Sequence, residues 1–199
     1  MVKKNVGILI SGSGSNMVEL VKSMTDNHPG QAVVVVSNVQ GAIGLARAEA
    51  LGVATRCLDH RTFGRDRLAF EAGLQNILLD FDLDVLCLAG FMRILSSSFL
   101  APWTDRILNI HPSLLPKFKG LNTHQRALDA AENEAGCSVH LVTPELDDGP
   151  VLGQGRLPIW EGDTAETLAS RVLTLEHHLY SKVLRRFLLG ERKPLYITL

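Results

Sequence analysis

Excess charge of either sign is missing from this sequence. Its 199 residues carry 20 Lys and Arg against 21 Asp and Glu, for a formal net charge of −1. Neither a nucleic-acid backbone nor an anionic membrane surface is expected to attract such a chain. Aromatic residues are few, at 6%, and no basic stripe interleaves with them, which argues against a nucleic-acid reader. No apolar run approaches the roughly 20 residues that span a bilayer. The first residues, Met1-Val2-Lys3-Lys4-Asn5, pass directly into a strand pattern, so no cleavable leader is expected. Cysteine is scarce too. Cys57, Cys87 and Cys137 stand far apart in apolar surroundings, which reads as reduced core thiols and a cytoplasmic location. The seven histidines show neither H-x-x-x-H nor H-E-x-x-H spacing, so no metal site is expected.

What is present is ordinary for a globular protein: 46% apolar and 21% charged residues. The length suits one well-buried domain, 1–199, and is short for two. Strand-like runs rich in β-branched residues fall at 5–10, 32–37, 53–57, 85–89 and 107–110. Helix-length amphipathic stretches separate the first of them, at 15–24, 44–51 and 66–79. This alternation predicts an α/β fold with a mostly parallel sheet covered on both faces. Beyond residue 135 the pattern changes. Segments 137–142 and 151–157 read as strands joined by a loop, and 164–188 reads as a long C-terminal helix. Asp163 or Thr164 would cap that helix, with Glu166 in its first turn.

Ligands of open α/β sheets gather at the carboxyl ends of strands, and three strand ends here carry unusual chemistry. The first is Ser11-Gly12-Ser13-Gly14-Ser15-Asn16. A dinucleotide fingerprint needs a third glycine where Met17 stands, and an acid after the second strand where Ser37-Asn38 stand. A P-loop needs a lysine, and none follows before Lys22. What remains suits a single phosphate received by backbone N–H groups. It suits equally a plain tight turn with Ser15 as helix cap.

The second and third strand ends are Gly90-Phe91-Met92-Arg93 and Asn109-Ile110-His111-Pro112-Ser113. Asn109 and His111 are two apart on a strand and so share one side. A later strand places Ser138 and His140 on one face, then delivers Asp147 and Asp148 into a Gly-Pro turn. An amide, an imidazole and a carboxylate are what acyl transfer to an amine requires. The tetrahedral intermediate needs an oxyanion donor, supplied by Asn109 and His111. The attacking amine must also lose a proton, which Asp147 takes directly or through water while it sets the protonation of His111. No activated nucleophile is evident, since Ser113 lacks a G-x-S-x-G elbow and the cysteines sit within strands. Direct transfer without a covalent enzyme intermediate is expected.

The segments ISGSGSN, LAGFMRIL, LNIHPSLLPKFKGLNTH and GCSVHLVTPELDDGPVLGQ, in that order, resemble the folate-dependent formyltransferases over about residues 5–189. The resemblance implies a Rossmann-like sheet with an antiparallel C-terminal strand and a long last helix. It implies an enzyme that moves the formyl group of the cosubstrate 10-formyltetrahydrofolate to the amine of glycinamide ribonucleotide in de novo purine biosynthesis. The catalytic trio it implies is Asn109, His111 and Asp147. It places the ribonucleotide on Gly14, Ser15, Asn16, Gly90, Met92 and Glu176. It places the folate on Arg67, Met92, Arg93, Ile94, Leu95, Leu146 and Asp147, with Arg65 close to Arg67 in that alignment. Ser138 and His140 match supporting positions. Leu173 departs from the pattern, standing where a polar residue would support the phosphate, and Arg171 is the candidate to compensate. Ser181 departs also, in place of a proline. A formyltetrahydrofolate hydrolase and a methionyl-tRNA formyltransferase share the trio. The chain's length is expected to favour the ribonucleotide enzyme over both. A non-catalytic folate- or nucleotide-binding module would not need the trio.

Overall fold

The computed structural model describes residues 2–25 and 27–198. The chain forms two compact units, Met1–Leu108 and Asn109–Leu199.

The first unit holds β1 (Lys4–Ile10), α1 (Ser15–Ser23), β2 (Gly30–Ser37), α2 (Ile43–Ala50), β3 (Ala54–Cys57), α3 (Arg67–Leu79), β4 (Val85–Leu88) and the single turn α4 (Ser97–Leu100). Its strands lie in the order β3-β2-β1-β4, all parallel. Val6, Ile8, Leu9, Ile10, Val34, Val35 and Leu86 are almost wholly buried, as continuous apolar strands covered on both faces must be. The Leu86 N–H donates to Arg106 O at 2.9 Å, so the chain enters β5 (Ile107–His111) beside β4.

The expectation of three buried thiols fails at Cys57, which is exposed, whereas Cys87 and Cys137 are buried. The reason is position. β3 is an edge strand pairing only with β2, and its four residues Ala-Thr-Arg-Cys are too polar to be covered on both faces.

The second unit takes up β5 at Asn109 and continues with α5 (Thr123–Asp129), β6 (Glu134–Leu141), β7 (Val151–Pro158), α6 (Ala165–Leu188) and β8 (Leu195–Thr198), in the strand order β5-β6-β7-β8. β6 and β7 are antiparallel, and β7 and β8 are parallel. β6 starts three residues before the apolar run because Glu134 pairs with Pro158 at the far end of the ladder. Helix α6 is capped by Thr164 in a reciprocal box with Thr167, and Glu166 sits in its first turn. It buries Leu168, Val172, Leu175, Leu179, Val183 and Phe187 at helical spacing and packs on β6 and β7. The fold is thus α/β and mostly parallel, with an antiparallel β6–β7 pair and a long last helix. No helix among the described residues is long and apolar enough to cross a membrane.

Candidate active site

In the first unit the glycine loop is built from backbone. Gly14 occupies the N-cap of α1 with φ +70°, and no side chain caps that helix. Ser15 is the first helical residue rather than the cap, so the plain-turn reading loses its capping hydroxyl. Helix α2 holds the loop from behind. The Gly44 N–H donates to Gly12 O at 3.0 Å and Arg47 Nη1 donates to Ser13 O at 3.0 Å. A Cβ on Gly44 would stand 2.4 Å from Ile10 Cδ1 and 3.0 Å from Gly12 O, so this approach requires glycine. Holding the two carbonyls from one side turns the N–H groups of the same peptide planes to the other, the orientation an anion needs.

Ser11 ties this loop to the neighbouring strand ends. Its N–H donates to Gly90 O, its Oγ donates to Asn38 Oδ1 at 2.5 Å, and it accepts from the Met92 N–H at 2.8 Å. The loops after β1, β2 and β4 therefore meet, as ligand-binding strand ends do. The segment after β4 carries an exposed apolar pair, Met92 and Ile94, while Leu95 is buried. The Arg93 guanidinium lies 5.4 Å from the Phe70 ring centroid, and Arg67 Nε is 3.5 Å from Glu71.

In the second unit three predicted side chains converge. Asn109 and His111 project from the end of β5, and the loop after β6 brings Asp147 to them with φ +49°, a left-handed conformation that Asp tolerates better than most residues. Asp147 Oδ2 accepts from the Gly120 N–H at 2.9 Å and lies 3.3 Å from His111 Nδ1. Its Oδ1 lies 3.6 Å from His140 Nε2. His140, which the resemblance implies as a support, stands beside both Asn109 and Asp147. Its Nδ1 stands 2.8 Å from Leu141 O, an acceptor only, which assigns the ring proton to Nδ1. The lone pair on Nε2 then accepts from Asn109 Nδ2 at 3.1 Å, fixing the amide with its second N–H uncommitted to His140.

Ser138 plays a different part. It donates to Ser113 O and accepts from the Leu115 N–H and from Gln154 Nε2, so it holds the outgoing backbone rather than a catalytic side chain. Ser113 Oγ is bound to Lys117 O and is not presented as a nucleophile.

The electrostatics follow from burial. His111 Nε2 lies 3.0 Å from Phe118 O, which can only accept, while Nδ1 faces the Asp147 carboxylate. Both acceptors are satisfied only by a doubly protonated ring. Burial opposes that, and with the nearby Arg126 cation it holds the His111 pKa below its ordinary 6.5 despite Phe118 O and Asp147. Burial also raises Asp147, but its surroundings, the Gly120 N–H among them, outweigh it and keep the carboxyl below its usual range. At neutral pH the group therefore holds an ionised carboxylate and a ring one proton short of satisfying its neighbours. That arrangement takes up a proton when chemistry supplies one.

The remaining predicted residues divide. Leu146 is exposed beside Asp147, and Glu176 is buried on α6. Arg171, the candidate to compensate for Leu173, is engaged locally. Its guanidinium is bound to Asp163 at 2.6 Å and to Pro158 O at 2.7 Å, and lies 3.4 Å from the Trp160 ring centroid. Several groups escaped the sequence reading: Arg47, Arg126 and the backbones of Phe118 and Gly120. Backbone groups carry no sequence signal, and a surface arginine on a helix is too common to stand out.

The chain belongs to the formyl transferase family, whose model matches residues 4–184. It is 43% identical to the phosphoribosylglycinamide formyltransferase of Escherichia coli, over 95% of this chain and 89% of that protein. It is 42% identical to the trifunctional purine biosynthetic protein adenosine-3 of Bos taurus over 92% of its own length, which is 18% of that larger protein. The chain thus spans 14–18% of the length of the trifunctional relatives it matches. The crystal structure of phosphoribosylglycinamide formyltransferase from Brucella melitensis superposes with a TM-score of 0.90 at 49% identity, covering 95% of this chain and 97% of that one.

Proposed function

We propose that residues 1–199 act as one formyltransferase domain that moves the formyl group of 10-formyltetrahydrofolate to the amine of glycinamide ribonucleotide. The observation that carries this reading is the single carboxylate, Asp147, between two imidazoles, one of which holds the amide of Asn109. The amine attacks the formyl carbon, a C–N bond forms, and the carbonyl electrons move onto oxygen. The uncommitted Asn109 N–H donates to that oxyanion, and His111, once it has gained a proton, adds its positive charge beside it. The proton released by the amine goes to the Asp147–His111 pair, directly or through water. The bond to the folate nitrogen then breaks, and that nitrogen takes a proton back. No enzyme nucleophile enters.

The ribonucleotide phosphate is assigned to the N–H groups of Gly14 and Ser15 and the side-chain amide of Asn16, and the rest of that substrate to Gly90, Met92 and Glu176. The folate is assigned to Arg67, Met92, Arg93, Ile94, Leu95, Leu146 and Asp147. The uncapped start of α1 and the exposed Met92 and Ile94 support these assignments. With Arg171 committed elsewhere, binding the phosphate falls chiefly to the glycine loop.

The test is absorbance-monitored formation of tetrahydrofolate with and without the ribonucleotide. Product formation is expected only when the ribonucleotide is present. An equal rate without it would make the protein a hydrolase instead. For the loop, Asn16→Ala is expected to raise KM for the ribonucleotide by about tenfold, the worth of one hydrogen bond to a charged group. An unchanged KM would return the loop to a plain turn.

A further inference from the structure

The exposed Arg126 on α5 reaches the loop that supports both catalytic side chains. Its Nη1 donates to Lys119 O at 2.6 Å and lies 3.3 Å from Leu121 O, and its guanidinium carbon is 5.5 Å from the Phe118 ring centroid. Lys119 O and the Gly120 N–H belong to one planar peptide unit and point in opposite directions. The same rigid plane therefore has the arginine at one end and, at 2.9 Å from the other, Asp147 Oδ2. One residue earlier, Phe118 O holds His111 Nε2.

This loop does not hold itself. Phe118 at φ +55°, Gly120 at +78° and Asn122 at +56° are all left-handed, and for the bulky Phe118 that conformation persists only where the surroundings impose it. We infer that Arg126 is a positioning residue for the catalytic pair, acting through the Phe118–Leu121 backbone. Its grip on Lys119 O aims the Gly120 N–H at Asp147, and its stack on Phe118 steadies the carbonyl that holds His111. Its positive charge acts on His111 as well, alongside Asp147, His140 and His124, the other charged or titratable groups around that ring. The inference rests on His111 and Asp147 being catalytic.

The experiment compares Arg126→Ala and Arg126→Lys with the parent by steady-state kinetics, with the His111 titration followed by NMR of the labelled imidazole. Alanine is the best helix former and the side chain is exposed, so the fold is expected to survive, which a thermal melt checks. In Arg126→Ala, kcat is expected to fall about tenfold while both KM values stay within about twofold. The His111 midpoint is expected to rise, because a neighbouring cation that disfavours a second proton has gone. In Arg126→Lys the midpoint is expected to stay near the parent value, with kcat intermediate, since lysine keeps the charge and loses the planar fork. Parent-like kcat in Arg126→Ala overturns the inference. So does a lowered kcat with an unmoved midpoint, which would mean general loosening of the surface. Asp147→Asn separates the two levels. If that variant turns over normally, the reading of the site itself fails. If it is inactive while Arg126→Ala is normal, only the role of Arg126 fails.

Discussion

Replacing Asp147 with asparagine is expected to lower kcat by about three orders of magnitude while moving KM for the ribonucleotide by less than about threefold. The two side chains have the same shape, and asparagine accepts the left-handed backbone that Asp147 adopts at φ +49°, so misfolding does not account for a loss. The amide oxygen can still accept from the Gly120 N–H. What disappears is the charge. The amide nitrogen cannot take a proton from the attacking amine, and it no longer draws one onto His111. It also introduces a donor beside His140 Nε2, whose lone pair already serves Asn109. Competition for that lone pair frees the amide that the oxyanion needs. The check is steady-state kinetics beside calorimetric binding of the ribonucleotide. Near-parent turnover would remove Asp147 from the chemistry, and a large loss of binding would move its role to substrate positioning.

How much of this was legible in the sequence depended on whether a feature resides in side chains or in backbone. The alternation of apolar runs with helical stretches predicted seven of the strands to within a few residues, because buried strands must be apolar on both faces. It missed α4, α5 and β8, which are too short to show a periodic apolar stripe. It misjudged Cys57, because neighbours in sequence do not show that a strand is an edge. The pairing of Asn109 with His111 followed from a period of two, and Asp147 was nominated by the chemistry the pair lacked. The amide, however, is held by His140, and the pair's supports are the Phe118 carbonyl and the Gly120 N–H. Any residue supplies a carbonyl, so no residue type announces one. The same holds for the glycine loop, whose orientation depends on Gly44 and Arg47 of α2, about thirty residues away in the chain.

Gly149 shows how tightly that backbone is drawn. It follows the two acids of the Asp147 turn, and a Cβ there would stand 1.9 Å from Leu141 O and 2.9 Å from its carbon. Neither is the end of a flexible side chain, so Gly149→Ala must move main chain. The displaced atom is the carbonyl that sets the proton on His140 Nδ1. Once it shifts, His140 can carry its proton on Nε2, where it meets the Asn109 amide as donor against donor and releases it. One methyl group is therefore expected to cost about 3 kcal/mol of stability through overpacking. It is also expected to lower kcat by about a hundredfold, because the oxyanion donor loses its anchor. Urea unfolding measures the first effect, and kinetics under conditions where the variant remains folded measure the second. A variant that is destabilised yet turns over normally would mean that Leu141 O moves without releasing His140, and the link from the Gly149 turn to the Asn109 amide would be broken.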